Sequence, residues 1–302
     1  MTSPKALNMS RPRRLVIRET ISSYLFLLPF LLFFVVFVIY PMFMCVYTSF
    51  FHATMGKEDV FAGLENYRRL IADDVFWIAL KNTMIIVLVS VPITCAFSLW
   101  VASVICKMHV AATSVFRCIF YLPVVTGSVA VTMVWKWMYN NYYGIFNYLG
   151  TNLGIIDKNI NWLGDTKYAL GCIILILLTT SVGQPIVLYV SALDNVDKSL
   201  VEAASVDGAT ATQAFWKVKW PQMMPTTLYI LVITMINSFQ CFALIQLLTQ
   251  GGPSNSTMTI MFYIYYNAFK LFDYGYGNAM GVILAIIIAI LSAIQFKVAQ
   301  EK

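Results

Sequence analysis

The sequence predicts an all-α membrane protein with six transmembrane helices and a cytoplasmic helix–turn–helix loop. Of the 302 residues 60% are hydrophobic and only 11% are charged, and the mean hydropathy is +0.75. A soluble domain carries about 25% charged residues, so this chain has too few charges to cover a surface that faces water. Intrinsic disorder is excluded as well, because disordered chains have low hydrophobicity and high charge.

Six long segments with few charged residues supply the predicted spans, since a helix needs about 20 largely apolar residues to cross a bilayer. The uncharged run 220–269 is long enough for two helices, but the Gly- and Ser-rich stretch 250–257 interrupts it. The segment after that stretch is too short to cross, so we predict one span there. The predicted spans are about 22–46, 82–106, 116–138, 168–192, 226–248 and 276–298.

An even number of spans places both termini on one side of the membrane. The apolar stretch from Ile21 to Phe51 is too long for the core of a signal peptide, so we expect a retained helix. We predict a basic tail over residues 1–19 and a membrane domain over 20–302. The tail is assigned to the cytoplasm because basic residues accumulate on that side, and four arginines lie here: Arg11, Arg13, Arg14 and Arg18.

Motifs of catalysis and of metal binding are missing from the sequence. The six cysteines have no CxxC spacing, the only histidines are His52 and His109, and there is no P-loop. The basic residues form no stripe with interleaved aromatics, so nucleic acid is not an expected partner. We therefore expect no catalytic residue and no metal. A membrane-embedded enzyme is disfavoured, while an ion- or proton-coupled secondary transporter stays as an alternative function. No Asp or Glu lies inside a predicted span, which weighs against proton coupling.

The loop 194–221 has the pattern of two short helices. Ser199 to Glu202 fits a capping box at the start of the first helix, and Gly208 fits its left-handed end. Thr210 to Gln213 fits a second capping box, and Pro221 is predicted to stop the second helix. Physical chemistry alone allows two interpretations: an amphipathic hairpin among lipid headgroups, or an element that docks on another protein.

This loop resembles the EAA motif of the permease subunits of binding-protein-dependent ABC importers. Further segments are similar to that family: Phe61–Tyr67, Tyr121–Pro123 and Leu248–Pro253, the last being typical of carbohydrate-type members. The resemblance runs from about residue 20 to the C-terminus. It is strongest to the first of two permeases in sugar, oligosaccharide or glycerol-phosphate importers. Two positions depart from the family pattern, namely Trp220 before the proline and Ala243 after a phenylalanine.

The resemblance implies a bacterial inner-membrane protein with both termini in the cytoplasm and several partners. These are a second permease subunit, two ATPase subunits and an extracellular or periplasmic solute-binding protein. ATP and Mg would be bound by the ATPases, so this chain would carry no cofactor. Within the loop, Phe215 and Trp216 would anchor the second helix on the protein's own face. The residues expected to couple to the ATPase are Glu202, Ala203, Ala204, Asp207, Gly208, Ala209, Phe215 and Pro221.

Two polar stripes are candidates for a translocation pathway. On a helix, positions i, i+3, i+4 and i+7 share one face, and amides and hydroxyls there suit a sugar; Phe239 or Tyr189 would stack on its ring. The alternative is that these polar side chains simply join neighbouring membrane helices. The candidates are Thr234, Asn237, Ser238 and Cys241 in the fifth span, Gln240 beside them, and Ser181 and Gln184 with Thr180 in the fourth.

Overall fold

The computed structural model describes the backbone of residues 13–300 and the side chains of residues 22–298. Of the predicted tail 1–19, the first twelve residues lie outside the described part. From Arg13 the chain is helical, so the helix of the first span begins within the segment predicted as the tail. Arginine has a high helix propensity, and a basic segment therefore does not delay the start of the helix.

Helices account for almost all of the described secondary structure. A single two-stranded antiparallel sheet, β1 (Phe51–His52) and β2 (Val60–Phe61), follows the first span. The helices are α1 (Arg13–Phe34), α2 (Tyr40–Thr48), α3 (Glu65–Ile71), α4 (Asp74–Ile105), α5 (Val110–Val125), α6 (Ser128–Met138), α7 (Ile145–Asn152), α8 (Ala169–Ser181), α9 (Gly183–Asp194), α10 (Lys198–Val206), α11 (Ala211–Ala214), α12 (Trp220–Phe239), α13 (Ala243–Leu248), α14 (Ile260–Tyr265) and α15 (Tyr274–Gln300). Three π-helical segments join some of these helices: Val35–Ile39, Phe215–Lys219 and Tyr266–Lys270.

The predicted all-α membrane fold is confirmed. Four helical stretches are each long and apolar enough to cross a membrane, and the number rises to six when two bent helix pairs are each taken as one span. The four are Ser22–Thr48, Asp74–Ile105, Ala211–Leu248 and Tyr274–Val298. Ser22–Thr48 is exposed along its apolar window, so that face is free for lipid or another membrane protein.

The third and fourth spans are both bent, and Pro123 and Pro185 lie next to the two bends. α5 and α6 meet at an angle of 93°, and α8 and α9 meet at 40°. The first break follows Pro123 and lies at Thr126 and Gly127, which have extended or non-helical backbone. Proline restricts the backbone and removes a hydrogen-bond donor, but apolar composition alone does not reveal where the helix breaks.

Pro221 does not stop a helix, which corrects the prediction for the hairpin's second helix. It occupies a first-turn position of α12, and helix runs on from Ala211 through the π-helical segment into α12. Inside a continuous helix, proline removes one backbone hydrogen bond and its ring crowds the preceding turn. The wider π-helical turn before it accommodates the ring. The hairpin is therefore fused to the fifth span.

α4 lies at the centre of the helix packing and contacts α8, α9 and α12. Its buried face includes Ala79, Ile86 and Ala102. Close packing also occurs between α5 and α9 at Gly183, where an added Cβ would strike the carbonyl oxygen of Phe120 and lie 2.9 Å from Val124 Cγ2. Small residues at such positions allow two membrane helices to approach closely.

We expect Gly183→Ala to destabilise the protein by about 1–3 kcal/mol, because overpacking forces backbone shifts. Gly171 in α8 is the matched control, since it is exposed and its added Cβ would meet nothing within 4 Å. Gly171→Ala should be neutral or stabilising by up to about 1 kcal/mol, because alanine has the higher helix propensity. Thermal unfolding of both variants in detergent, followed by tryptophan fluorescence, tests this. Equal melting temperatures would contradict it.

A polar cluster joins α3 and α4 to α14 and α15 at the end of the bundle where α4 begins. Asp73 accepts hydrogen bonds from the hydroxyl groups of Tyr263 and Tyr276, each at 2.6 Å. The Arg69 guanidinium lies 4.1 Å from the centre of the Tyr276 ring and pairs with Asp273 at 2.6 Å. Burial acts to raise the pKa of Asp73, but the hydrogen bonds outweigh it and the net pKa is lowered.

Asp73→Asn should lower stability at pH 7 by about 1 kcal/mol, the typical size of one net hydrogen bond. The folded pKa of Asp73 lies below the unfolded value of about 3.9. Its contribution is therefore present above pH 4 and is lost as the pH falls through the folded pKa. The gap between wild type and variant should close over that acid range. Asp74→Asn, at the exposed neighbouring position, is the control, and a gap independent of pH would refute the assignment.

Candidate functional site: a polar cleft and a helical hairpin

The first helix of the hairpin starts at a cap that the sequence prediction missed. Asp197 is the N-cap of α10, and its carboxylate accepts from the backbone N–H of Ser199 at 2.9 Å. The predicted capping box from Ser199 to Glu202 is wrong, because the helix already begins at Lys198. An aspartate at this position also interacts favourably with the helix dipole, and the hydrogen bonds from Ser199 lower its pKa.

The turn of the hairpin is formed as predicted. Gly208 has φ of +80°, and the N–H of Ala209 donates to the carbonyl of Ala204 at 2.9 Å. This is the left-handed helix end that glycine favours. The second capping box is also confirmed, with Thr210 and Gln213 bonded reciprocally at 2.9 and 3.3 Å. Two short helices are thus held rigidly at a fixed turn.

The predicted coupling residues divide between the exposed and inner faces of this hairpin. Ala204 and Ala209 are half-buried, and Phe215 packs against the core. Trp216, predicted as a second anchor, is 54% exposed and contacts the rings of Phe215 and Trp220 instead. The exposed coupling residues are Glu202, Ala203, Asp207, Gly208 and Pro221.

Two adjoining cavities of about 330 and 140 Å³ lie among α5, α6, α8, α9 and α12, and we call them the polar cleft. Both are lined by Val124, Thr180 and Asn237, so the two predicted stripes meet there. The smaller cavity is also lined by Ser181, Gln184 and Thr234, and the larger is also lined by Gln240 and Cys241. The Asn237 amide is exposed, and no hydrogen bond joins it to another described residue.

Ser238 was also predicted to line the pathway, but the structure places it elsewhere. It is 2% exposed and bonds to Ser90 of α4 at 3.0 Å, so it joins two helices. Phe239 and Tyr189 are fully buried and have no ring face open to the cleft. The aromatic residue that does line the cleft is Phe242. Cys241 follows the end of α12 and owes its position to that helix end, not to helical spacing.

The polar cleft is built at three helix breaks. Thr126 and Ser128 flank the break between α5 and α6, Ser181 and Gln184 flank that between α8 and α9, and Gln240 lies where α12 ends. Breaks within membrane helices are tolerated where the freed backbone groups face protein or a water-filled cavity. Sequence reasoning missed Thr126 and Ser128; the signal available for them was Pro123 followed by Gly127.

Two helices connect the polar cleft directly to the hairpin. α9 begins at the cleft with Gln184 and ends at Asp194, just before the hairpin. α12 begins at Trp220, just after the hairpin, and carries Asn237 near its other end. Twenty residues of helix span about 30 Å. Helices therefore run from the hairpin to the cleft on both sides of the hairpin.

The described residues contain no cluster of three His, Cys, Asp or Glu side chains able to hold a metal ion. The residues that line the polar cleft carry no charge. The arrangement suits passage of a polar solute through a helical bundle, with a surface element fused to the helices that line the path. These are the features of a membrane transport component.

The family described as the binding-protein-dependent transport system inner membrane component matches residues 83–300. The chain is 32% identical over 296 residues to the probable ABC transporter permease protein YesP of Bacillus subtilis, covering 97% of this chain and 94% of that protein. It is also 32% identical over 291 residues to the multiple sugar-binding transport system permease protein MsmF of Streptococcus mutans, covering 95% and 99%.

A solved structure shares the fold. It is a bacterial alginate ABC transporter in complex with an alginate pentasaccharide-bound periplasmic protein, with a TM-score of 0.80 and 22% identity, covering 92% of this chain and 94% of that chain. The chain belongs to the family of binding-protein-dependent inner membrane transport components. This assignment decides against the secondary transporter.

Proposed function

We propose that this chain forms half of the translocation pathway of an ATP-driven importer for an uncharged sugar or oligosaccharide. The observation that carries the proposal is the polar cleft, where hydroxyl and amide side chains meet at three helix breaks without a charged residue. Relatives include transport proteins named for multiple sugars, lactose and arabinooligosaccharides, and others named for sulfoquinovosyl glycerol and sn-glycerol-3-phosphate. Their names therefore support a carbohydrate-type cargo but do not decide its charge.

The cargo class follows from the chemistry of the cleft. An anionic solute such as a uronate polymer or a glycerol phosphate needs basic partners to replace its hydration in a low-dielectric bundle. The cleft offers Thr180, Asn237 and Gln240 as hydrogen-bonding groups and Phe242 as an aromatic surface. A neutral sugar is matched by this set, and the lining supplies no counter-charge for an anion.

The hairpin is the proposed contact with a cytoplasmic ATPase. Its rigid caps and exposed Glu202 and Asp207 suit an element held in a groove of another protein. Closure of an ATPase dimer on ATP would move the hairpin, and α9 and α12 would rotate with it as rigid bodies. The cleft residues on both helices then change their accessibility between the two sides of the membrane.

This role assigns the remaining partners and the orientation. A second permease subunit supplies the other half of the pathway, two ATPases bind ATP and Mg, and a solute-binding protein delivers cargo from outside. The hairpin and both termini face the cytoplasm of a bacterium. This chain holds no cofactor and carries out no chemistry, so ATP hydrolysis takes place entirely in the partner subunits.

Co-purification and reconstituted uptake test the proposal. The tagged chain from its native host is expected to recover a second permease and a P-loop ATPase. In proteoliposomes, uptake of neutral oligosaccharides should require both ATP and the binding protein, while a uronate oligomer and a glycerol phosphate should not enter. Uptake driven by an ion gradient without ATP, or preference for the anionic solutes, would refute it.

A further inference from the structure

A groove of about 680 Å³ lies between the last turns of α4 and the hairpin, away from the polar cleft. One wall is formed by Leu99 and Ser103 of α4, and the other by Val201 and Ser205 of α10 with Phe215. No residue lines both this groove and the polar cleft. The groove thus has no part in the proposed translocation pathway, and we call it the hairpin groove.

The hairpin groove is apolar inside and positively charged at its edge. The charged residues that line it are Lys107 and Lys219. Neither lysine forms an ion pair within residues 22–298, and the nearby Asp194 is already paired with Arg117 at 2.8 Å. Two cations therefore lie beside the apolar hairpin groove without a counter-charge from the described part of the chain.

Two tryptophans place the groove at a membrane boundary. Trp100 and Trp216 line it and are 64% and 54% exposed. Tryptophan is enriched where the hydrocarbon of a bilayer meets its headgroups. α4 ends just beyond Trp100, at Ile105, and the chain turns back into α5 at Val110. The groove therefore opens at headgroup level.

We propose that the hairpin groove binds one anionic phospholipid. An acyl chain lies against Leu99, Val201 and Phe215, and the phosphodiester lies between the ammonium groups of Lys107 and Lys219. Basic pockets between membrane helices on the cytoplasmic side recognise anionic headgroups in this way. The groove has no acidic lining residue for the cationic part of a zwitterionic headgroup, and this favours an anionic lipid over a phosphatidylcholine.

Two other occupants fit less well. Residues 1–12 of this chain contain Lys5 and Arg11 and no acidic residue, so the two lysines of the groove would repel them. An ATPase would approach the adjacent face of α10, about 100° round the helix from Val201 and Ser205, where Glu202 is exposed and Val206 is 88% exposed. The lipid and the ATPase thus contact different faces of one helix, and the lipid acts as a wedge that fixes the hairpin against α4.

The inference rests on the proposed function only for the choice of leaflet. Its test is lipid retention by the full chain alone, without ATPase or cargo. The chain is reconstituted in nanodiscs that contain equal amounts of phosphatidylglycerol and phosphatidylcholine. The lipids that remain bound to it are then identified by native mass spectrometry. Wild type should retain one phosphatidylglycerol, and Lys107→Gln/Lys219→Gln should weaken that retention roughly thirtyfold, since each lysine contributes a comparable electrostatic attraction.

Matched variants separate this site from general surface charge. Lys217 lies two residues from Lys219 on the same hairpin but does not line the groove, so Lys217→Gln should retain the lipid as wild type does. Ser205→Trp fills the apolar wall and should displace lipid while leaving both lysines in place. Circular dichroism confirms that each variant is folded.

Equal retention of the two lipids by wild type, or equal loss in Lys217→Gln and the double variant, would overturn the proposal. If uptake fails to depend on ATP while lipid retention behaves as described, the proposed function fails and this site stands.

Discussion

Gly208→Val is expected to release the ATPase subunits and abolish ATP-driven uptake. Gly208 has φ of +80°, a region that β-branched residues avoid, and the cost is about 1–3 kcal/mol at a single position. An added Cβ at Gly208 would meet no atom within 4 Å. The substitution therefore acts through the backbone of the turn and not through a steric clash inside the chain.

The matched variant is Gly208→Asn, because asparagine is the other residue that readily adopts the left-handed conformation. It should keep most of the ATPase association and uptake. Co-purification of the ATPase and initial uptake rates in proteoliposomes are measured for both variants alongside membrane insertion. If valine and asparagine at position 208 behave alike, the turn conformation is not what couples the hairpin to its partner. The same conclusion follows if the ATPase stays bound to the valine variant.

Asn237→Leu is expected to lower uptake about fivefold or more while the complex still assembles. Asn237 lines both cavities of the polar cleft, and its amide has no hydrogen-bond partner within the described chain. It is therefore free to bond a passing solute, and each good hydrogen bond contributes about 1 kcal/mol or more in such a site. Leucine has a similar size and removes only the polar groups.

Ser238→Ala, one residue away, is the control. Its hydroxyl bonds to Ser90 between α12 and α4 and does not reach the cleft. We expect it to lower thermal stability by about 1 kcal/mol, through the lost buried hydrogen bond, and to leave the uptake rate nearly unchanged. Loss of uptake in Ser238→Ala with normal uptake in Asn237→Leu would show that the polar stripe of α12 joins helices and does not form a pathway.

Local signals in the sequence predicted the hairpin well. Gly208, Thr210 and Gln213 act within a few residues of one another. Their pattern therefore predicts the turn and the second cap without knowledge of the fold. The same reasoning chose the wrong first cap, because Asp197 and Ser199 are both good N-cap residues and the helix begins at the earlier one. It also treated Pro221 as a stop, since a π-helical turn that admits the proline has no simple sequence signature.

The membrane class was determined by the sequence alone, because every helix that crosses a bilayer must be long and largely apolar. Composition and long uncharged runs show this directly. Helical spacing likewise placed Thr234 and Asn237 on one face. Which polar residues face the cleft, and which join helices, was decided only by the tertiary structure. Ser238 turns to Ser90, Phe239 is buried, and Thr126 enters the cleft at a break. The physical reason is that spacing fixes a residue's angle on its own helix, whereas the neighbour at that angle depends on how bent helices pack.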